Sequence, residues 1–314
     1  MKRSVIILFF LFSQFIKAQD VHYSQFEKTK LLINSSLISS QEEDYEIQLQ
    51  RRSQWSSITI PFNTFSLSFT LKEVYKTLSL GGTILNDVAG DSHFSTDAFL
   101  FSVGNSVISK NNLFAFSVQT GFSQRSINYD RLIFFENEGL ENLSFSFFDF
   151  GIGISNYKKI DSSFAFLIGL SSYHLNKPKQ SLTSNDEVVL TPKYIIHSNT
   201  YININSKTEI IPAMYTSLQG QQQEFVIGSG GSYRLNSETR LKTGIYTRMK
   251  DAIFITLGMQ KENLEVIISY DINTSTLANA SDSMGGIEFS ISYGWSRIKE
   301  NKKESLEIIC PKYL

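Results

Sequence analysis

The chain has 314 residues, of which 29 are basic and 30 acidic, so no nucleic-acid partner is expected, because nucleic-acid binding needs clustered positive charge. Only 41% of the residues are hydrophobic, and no internal run approaches the roughly 20 apolar residues of a membrane-spanning helix. The 25 Phe and 14 Tyr residues are nevertheless compatible with a transmembrane β-barrel, since only the outward face of a barrel must be apolar. Composition alone leaves a soluble β-sandwich or an elongated β-protein as alternatives.

The N-terminus has the pattern of a secretory signal peptide. Lys2 and Arg3 precede the apolar stretch Val5–Phe12, and Ala18 is a suitable small residue before a cleavage site. We therefore predict a signal peptide over residues 1–18, cleaved after Ala18. Residues 19–44 are mostly polar and irregular, and we predict that they form a periplasmic segment that precedes the barrel.

Alternation of apolar and polar side chains begins at Tyr45. Tyr45, Ile47 and Leu49 alternate with polar residues at the start of Tyr45–Trp55, and every second residue is apolar in Thr64–Lys72. This is the pattern of a β-strand, because successive side chains leave a strand on opposite faces. Pro61 lies in the turn between the two strands, where its missing N–H does no harm. The polar face of each strand would be unfavourable against a hydrophobic core, but it suits a wet lumen.

The same period of two predicts twelve further strands. An even total of fourteen fits a single-chain outer-membrane barrel, in which the last strand closes against the first. Alternation is poorest in the first and seventh of the twelve, and a change of phase between Phe147 and Phe148 predicts a β-bulge. The twelve predicted strands are Leu78–Asp87, Thr96–Val107, Asn112–Ser123, Leu143–Tyr157, Ser162–Tyr173, Lys193–Ile204, Glu209–Leu218, Glu224–Leu235, Thr239–Met249, Ala252–Gln260, Leu264–Ile272 and Gly285–Ser296.

The lengths of the predicted connections support a barrel. Every connection from an even to an odd strand is only a few residues long, whereas the longest ones, 124–142, 174–192 and 273–284, join odd to even strands. Short periplasmic turns and long extracellular loops are the rule for outer-membrane barrels, and a soluble sandwich has no reason to follow it. We predict an all-β fold, an antiparallel up-and-down barrel over residues 45–296, with lipid around it and both termini in the periplasm.

Several short motifs, taken in order, resemble those of the PorP/SprF family of outer-membrane proteins. They are a Q-D-x-x-x-S-Q-F opening at 19–26, R-x-Q-W at 52–55 followed by a proline turn, N-D-V-A-G-D at 86–91, Y-H-L-N-K-P at 173–178, Y-D-I-N at 270–273 before G-G-I-E at 285–288, and a C-P pair in the tail. Val21 and the segment Leu32–Ser35 depart from the family pattern, as in a divergent member. The positions that carry the resemblance are Gln25, Arg52, Gln54, Trp55, Pro61, Asn86, Asp87, Gly90, Asp91, His174, Pro178, Asp271, Glu288, Cys310 and Pro311.

This resemblance implies a function in type IX secretion and gliding motility of the Bacteroidota. Members of the family are needed to secrete or anchor particular cargo, often a large surface adhesin, and some bridge to a periplasmic, peptidoglycan-associated partner. No catalysis and no cofactor are implied. A transport channel for small or apolar solutes is the alternative, since inward-facing Gly and Ser suit both an open and a plugged lumen.

Other chemistry finds weaker support in the sequence. Asn86, Asp87 and Asp91 offer oxygen ligands for calcium but lack a full set, so a turn capped by Asx side chains is preferred. A barrel hydrolase would need a Ser and a His on neighbouring strands with a third orienting group, and the four histidines are scattered. Arg52 with Glu46 and Glu288 is predicted to form a structural charge network that seals the first strand against the last.

The remaining predictions concern strand ends and the tail. Trp55 and the Tyr residues near strand ends fit the aromatic girdles of a membrane barrel. The tail Arg297–Leu314 is interpreted either as a disordered or plug-like extension or as a docking peptide for a periplasmic partner. Cys310 has no second cysteine to pair with inside the chain and is interpreted as a bystander, with a reactive or intermolecular thiol as the alternative.

Overall fold

The chain folds into a closed barrel of fourteen antiparallel β-strands. The computed structural model describes residues 20–56, 60–90, 94–129, 142–180, 188–275 and 278–297. The predicted signal peptide and the tail beyond Arg297, with Cys310 and Pro311, lie outside the described residues. The strands are β1 Tyr45–Gln54, β2 Phe62–Tyr75, β3 Leu78–Ala89, β4 Phe94–Ser109, β5 Asn112–Ile127, β6 Leu143–Lys159, β7 Phe164–Tyr173, β8 Lys193–Asn203, β9 Thr208–Gln219, β10 Gln222–Arg234, β11 Thr239–Arg248, β12 Ala252–Lys261, β13 Leu264–Asn273 and β14 Met284–Trp295.

Each strand pairs with its neighbours in sequence, and the sheet closes where β1 pairs with β14. The ladder at this seam runs without interruption from Tyr45 opposite Trp295 to Gln54 opposite Gly286. The predicted count of fourteen strands and the predicted seam are therefore both confirmed. Closure leaves the barrel without a free sheet edge at the seam, which a membrane-spanning sheet requires because lipid cannot hydrogen-bond to the backbone.

The outward face of the barrel is a broad apolar surface. Phe99, Phe148 and Ile154 are more than half exposed, and dozens of other large apolar side chains point outward with them. An exposed apolar surface of this extent is unfavourable in water but is the required outer surface of a membrane barrel. No helix in the described ranges is long and apolar enough to cross a membrane. The strands form a transmembrane β-barrel.

The two ends of the barrel differ in their connections. Turns of two to four residues, such as 76–77 and 262–263, lie at the end where β1 begins and β14 stops, and the long connections 128–142 and 174–192 lie at the other end. By the rule for outer-membrane barrels, the first is the periplasmic end and the second the extracellular end. At the periplasmic end of the seam, Trp295 stacks on Tyr45 with 5.3 Å between ring centroids, and Tyr293 lies 5.7 Å from Trp295, as in an interfacial girdle.

The β-bulge predicted in β6 is absent from the structure. The β5–β6 ladder is continuous there, with Ser123 opposite Phe147 and Phe122 opposite Phe148. Phe147 points into the lumen, where the guanidinium of Arg125 lies 5.5 Å from its ring centroid, and Phe148 points outward. The apparent change of phase arises because an inward-facing aromatic residue packs against a cation, not because the strand gains a residue.

The two strands with the poorest alternation are present as predicted. In β3, Gly81 and Gly82 hide the pattern because neither has a side chain to mark its face. In β9, the ladder with β8 is interrupted between Ala213 and Ile210, around Pro212. Proline has no backbone N–H to contribute to a ladder, so the strand continues while the pairing is interrupted.

The segment before β1 does not lie in the periplasm, as predicted, but inside the barrel. Residues 20–44, called the lumen segment below, hydrogen-bond to strands around the ring, including β2, β5, β6, β8 and β14. Its short elements are 3₁₀ turns at Phe26–Lys28 and Ser35–Ser39 and one α-helical turn, α1, at Lys30–Ile33. The polar inward faces that suggested a wet lumen serve to bind this segment.

Candidate functional site

The lumen segment passes along the barrel from one end to the other. At the periplasmic end, the backbone N–H of Arg297 donates to Asp44 at 2.9 Å. At the other end of the segment, the N–H of Asp20 donates to Gln219, the last residue of β9, at 3.2 Å. The segment therefore starts near the extracellular end and descends through the lumen to the start of β1.

An aromatic anchor holds the segment against one side of the wall. Phe26 is 3% exposed and packs against Tyr215 and Tyr246, with ring centroids 5.5 and 5.7 Å away. Tyr246 in turn stacks on Phe254 at 5.2 Å. These inward-facing aromatic residues of β9, β11 and β12 would be costly in an open aqueous pore, and burial against Phe26 makes them favourable.

Asn34 fixes the middle of the segment through its side chain. Its amide donates to the carbonyl oxygens of Ile154 at 2.9 Å and Leu170 at 3.3 Å, and its Oδ1 accepts from the N–H of Ser36 at 3.1 Å as an N-cap of the following turn. Asn34 is completely buried. Its contacts join the segment to β6 and β7 at Gly153 and Gly169, where no wall side chain separates Asn34 from the strand backbones.

Inward-facing glycines make this close approach possible. A Cβ on Gly153 would lie 2.2 Å from Asn34 Oδ1, and one on Gly104 would lie 2.9 Å from the side chain of Ile38. Gly81 faces Leu31 in the same way at 2.9 Å. A side chain at any of these three wall positions would therefore collide with the lumen segment.

Valine substitutions on the two faces of the wall distinguish the effect of a collision with the lumen segment from the general effect of replacing glycine in a β-strand. Gly153→Val is expected to displace the lumen segment and to lower stability by about 1–3 kcal/mol, the usual cost of overpacking. Gly82→Val puts the same side chain on the outward face, where its Cβ meets only the Leu100 carbonyl oxygen at 3.9 Å, so little change is expected. Protease sensitivity of the segment and the temperature of heat-induced unfolding in detergent would measure both. Equal behaviour of the two variants would contradict the packing described here.

A buried charged cluster binds the start of the lumen segment to the seam of the barrel. Arg52 on β1 contacts Asp271 on β13 at 2.8 Å and Glu288 on β14 at 3.0 Å, and all three side chains are at most 2% exposed. Glu288 accepts the backbone N–H groups of Ser24 and Gln25 at 2.8 and 3.0 Å. One carboxylate thus joins the first strand to the last and both to the lumen segment.

A second arginine enlarges the cluster. Arg248 on β11 contacts Glu224 at 2.9 Å, Asp251 at 3.0 Å and Asp271 at 3.4 Å. The hydroxyl of Ser24 accepts from Arg248 at 2.8 Å and donates to Asp271 at 2.7 Å. Buried charges are costly unless they are paired and hydrogen-bonded. Every charge of the cluster has an opposite charge beside it, and Ser24 adds hydrogen bonds, while Asp271 Oδ1 and Glu224 Oε2 have no hydrogen-bond partner among the described residues.

The family-motif residues Gln25 and Gln54 also belong to this cluster. The Gln25 amide donates to Ser269 at 3.1 Å and accepts from Ser290 at 2.6 Å, which links it to β13 and β14. Gln54, with its amide oxygen turned toward Arg52, accepts from the guanidinium at 2.7 Å. Arg52 and Gln54 are two residues apart and therefore face the lumen together, which gives the R-x-Q motif a physical reason.

The predicted seam network is thus present with one change. Arg52 and Glu288 pair as expected, but Glu46 does not join them. Glu46 faces the lumen on the same strand as Arg52, but it lies six residues closer to the periplasmic end of β1. Glu46 instead contacts Lys30 of the lumen segment at 2.7 Å.

His174 holds the extracellular end of the lumen segment. Its Nε2 lies 2.6 Å from Asp20, and its Nδ1 lies 2.8 Å from Asp149 on β6. Burial lowers the pKa of His174, but the neighbouring Asp20 carboxylate, together with Asp149, raises it to about 9. Burial raises the pKa of Asp20, but the His174 charge holds it well below its usual range. Both groups are charged at neutral pH, and as the pH rises through about 9 His174 loses its charge and the attraction with it.

Asn86 and Asp87, which were considered as calcium ligands and as capping residues of a turn, do not converge. Asp87 faces inward and accepts from Thr64 at 2.6 Å, whereas Asn86 faces outward and donates to Asp97 at 2.7 Å. Both belong to β3, so the preferred Asx-capped turn is also wrong at these two positions; the turn begins at Gly90, whose φ is +47°. Asp91 lies outside the described residues. Among the described residues, no group of three or more His, Cys, Asp or Glu side chains could hold a metal ion.

The other motif residues shape the extracellular connections. Trp55 adopts a φ of +59° after β1 and packs edge-on against Phe62 at 4.5 Å. The Pro61 carbonyl accepts from Asn63 at 3.2 Å. The Pro178 carbonyl accepts from Leu190 at 2.9 Å within the β7–β8 connection.

Sequence reasoning missed Ser24, Asn34 and Arg248 as members of the site. Each of them has a partner more than a hundred residues away in sequence, namely Asp271 for Ser24, Ile154 for Asn34 and Ser24 for Arg248, so spacing gave no indication of them. One signal was present: Gly81, Gly104 and Gly153 all fall on the polar, inward phase of their strands, which indicates close approach of another backbone.

Several solved structures share the fold. The chain aligns with the CymD monoaromatic hydrocarbon channel at a TM-score of 0.54 and 9% identity, covering 87% of this chain and 94% of that one. It aligns with a FadL homologue of Pseudomonas aeruginosa at 0.51 and 8%, covering 85% and 94%, and with the toluene transporter TodX of Pseudomonas putida at 0.50 and 10%, covering 87% and 93%. At these identities the likeness shows the fold alone.

Sequence comparison identifies the family. A search of curated proteins finds no significant match to the chain. The model of the family described as type IX secretion system membrane protein PorP/SprF, however, matches residues 15–293, which include the lumen segment and all the strands up to Tyr293 of β14. The chain therefore belongs to the PorP/SprF family of type IX secretion system membrane proteins.

Proposed function

We propose that this outer-membrane barrel is a non-enzymatic component that assists the secretion or surface anchoring of specific type IX cargo, such as a large adhesin. We further propose that it links this cargo to a periplasmic secretion or peptidoglycan-associated protein. The observation that carries the proposal is the occupied lumen, in a chain that belongs to a secretion-system family. A barrel whose interior is filled by its own buried, ion-paired segment is suited to anchoring and docking rather than to passive conduction.

The occupied lumen also bears on the alternative of a solute channel. A channel needs a continuous path, and Phe26, Asn34 and the Ser24 cluster each join the segment to the wall at a different height. The likeness to hydrocarbon channels shows the fold alone and does not decide between the two functions.

Comparative mass spectrometry of surface and medium proteins, with and without this gene, tests the proposal. Loss of one or a few large secreted proteins is the expected result, with the remaining type IX cargo unaffected. Loss of all type IX cargo would make the protein a core component instead. An unchanged set of secreted proteins would overturn the proposal, and conductance in planar bilayers would then test the channel alternative.

A further inference from the structure

Three cationic side chains meet at the extracellular end of the lumen. Arg125 lies two residues before the end of β5, His174 directly follows β7, and Lys193 is the first residue of β8. All three turn toward one carboxylate, that of Asp20, the first described residue of the lumen segment. Cations that converge from separate elements on a single carboxylate form an anion-binding arrangement, here occupied by the chain's own residue.

Asp20 satisfies only one of the three cations at hydrogen-bond distance. His174 Nε2 lies 2.6 Å from its carboxylate, whereas Arg125 Nη2 lies at 3.7 Å and Lys193 Nζ at 4.0 Å, both too far for a hydrogen bond. Arg125 is 8% exposed, and although it donates to Gln180, its Nε has no hydrogen-bond partner among the described residues. A buried donor without a partner is uncommon in native proteins, so the site has unused capacity for a carboxylate.

The start of the lumen segment is held less firmly than the residues that follow. Apart from its carboxylate, Asp20 is joined to the wall by its N–H, which donates to Gln219 at 3.2 Å. The buried Nε2 of His22 has no hydrogen-bond partner among the described residues, and the buried cluster begins at Ser24, whose N–H donates to Glu288 at 2.8 Å. Release of Asp20 would therefore free the first residues of the segment and leave the seam intact.

We propose that Arg125, His174 and Lys193 form a binding site for a carboxylate of the secreted cargo, and that Asp20 occupies this site until the cargo replaces it. The Asp20 side chain is 16% exposed, so an external group can approach it. A carboxylate that reaches Arg125 and Lys193 makes the charge-assisted hydrogen bonds that Asp20 leaves unmade. This inference rests on the proposed function, because it names the chemistry by which the barrel holds its cargo.

Calorimetry at low salt with the full-length barrel in nanodiscs tests the site with two peptide probes. Acetyl-Gly-Glu-Gly-Glu-Gly-amide offers only side-chain carboxylates, and acetyl-Gly-Gly-Gly-Gly with a free C-terminus offers only a terminal carboxylate. At least one of them is expected to bind, and the one that binds identifies the source of the carboxylate. The counterparts with Gln in place of Glu, or with an amidated C-terminus, are expected not to bind.

Two single variants distinguish an internal competitor from a carboxylate with a purely structural role. Apparent affinity is reduced by the fraction of time for which a site is occupied, so Asp20→Asn is expected to tighten peptide binding by about tenfold. Lys193→Gln is expected to weaken binding by about tenfold, because it removes a direct partner of the bound carboxylate. Unchanged or weaker binding by the Asp20 variant would show that Asp20 does not compete for the site.

The matched controls remove the same charges from exposed turns at the same end of the barrel. Asp282→Asn and Lys250→Gln are expected to leave binding unchanged, and heat-modifiable mobility checks that every variant is folded. No binding of either peptide to the complete chain or to the Asp20 variant, or equal effects of site and control variants, would overturn the proposal. Peptide binding with an unchanged set of secreted proteins would retain the site and refute the secretion role, so the two failures are distinguishable.

Discussion

Replacing Arg52 with Met is expected to destabilise the barrel by about 3–5 kcal/mol, because it removes one partner from a buried cluster and leaves carboxylates uncompensated. Asp271 keeps Arg248 at 3.4 Å, but Glu288 loses the guanidinium that lies 3.0 Å from it. Both carboxylates belong to strands at or next to the seam, so the loss falls where the barrel closes. Urea unfolding in detergent, followed by the change in electrophoretic mobility on heating, measures the effect.

Arg51 provides a matched control one position away. It lies on the same strand but is exposed on the outward face, and Arg51→Met is expected to change stability by no more than about 0.5 kcal/mol. Combining Arg52→Met with Glu288→Gln should recover part of the loss, since the second change removes the buried charge that the first leaves unpaired. Equal effects of the Arg51 and Arg52 variants would show that the cluster does not stabilise the seam.

Deleting residues 21–39 is expected to turn an occupied barrel into an ion-conducting one. Barrels of sixteen or more strands leave an aqueous channel, and eight strands leave room only for side chains, so fourteen strands without an interior segment should enclose a continuous path. The variant should still close, because Arg52 reaches Asp271 and Glu288 directly and does not need Ser24 for either contact. Planar-bilayer recordings should show stable conductance steps several times larger than any background of the complete chain.

The folding of the deletion variant is checked separately by its heat-modifiable mobility. If it folds and does not conduct, another part of the chain closes the lumen and the segment is not the obstruction. If the complete chain already conducts as strongly as the variant, the lumen segment does not block ion flow. That result would favour the solute-channel function over the anchoring function.

The strands could be predicted from the sequence because the membrane imposes a simple rule on them. Each strand must present apolar residues such as Phe99 and Phe116 to lipid at every second position, whatever fills the interior. The rule fails only where the inward face is also apolar. Phe147 is such a case: its contact with Arg125 depends on the neighbouring strand, and the sequence of β6 alone suggested a bulge instead.

The interior could not be predicted in the same way. The lumen segment has no period, because its short turns pack against a different strand at each step, and Asn34 alone contacts atoms 120 and 136 residues away in sequence. Arg52 and Glu288 were identified because the seam brings the ends of the chain together by topology. Ser24 and Arg248 were missed because the alternation of a strand shows which residues face inward, but not which of them contact the lumen segment. The lumen segment itself has no alternation from which its contacts could be predicted.

The cluster at the seam also has a consequence for biogenesis. Ser24 and Glu288 are 264 residues apart, and Glu288 belongs to the last strand that is synthesised. Until β14 is in place, the start of the chain has no carboxylate to receive its backbone N–H groups, and Arg52 lacks one of its two counter-ions. The lumen segment therefore gains the partners of Ser24 and Gln25 on Glu288 only when the last strand closes the barrel, so closure of the wall and filling of the interior are completed by the same residue.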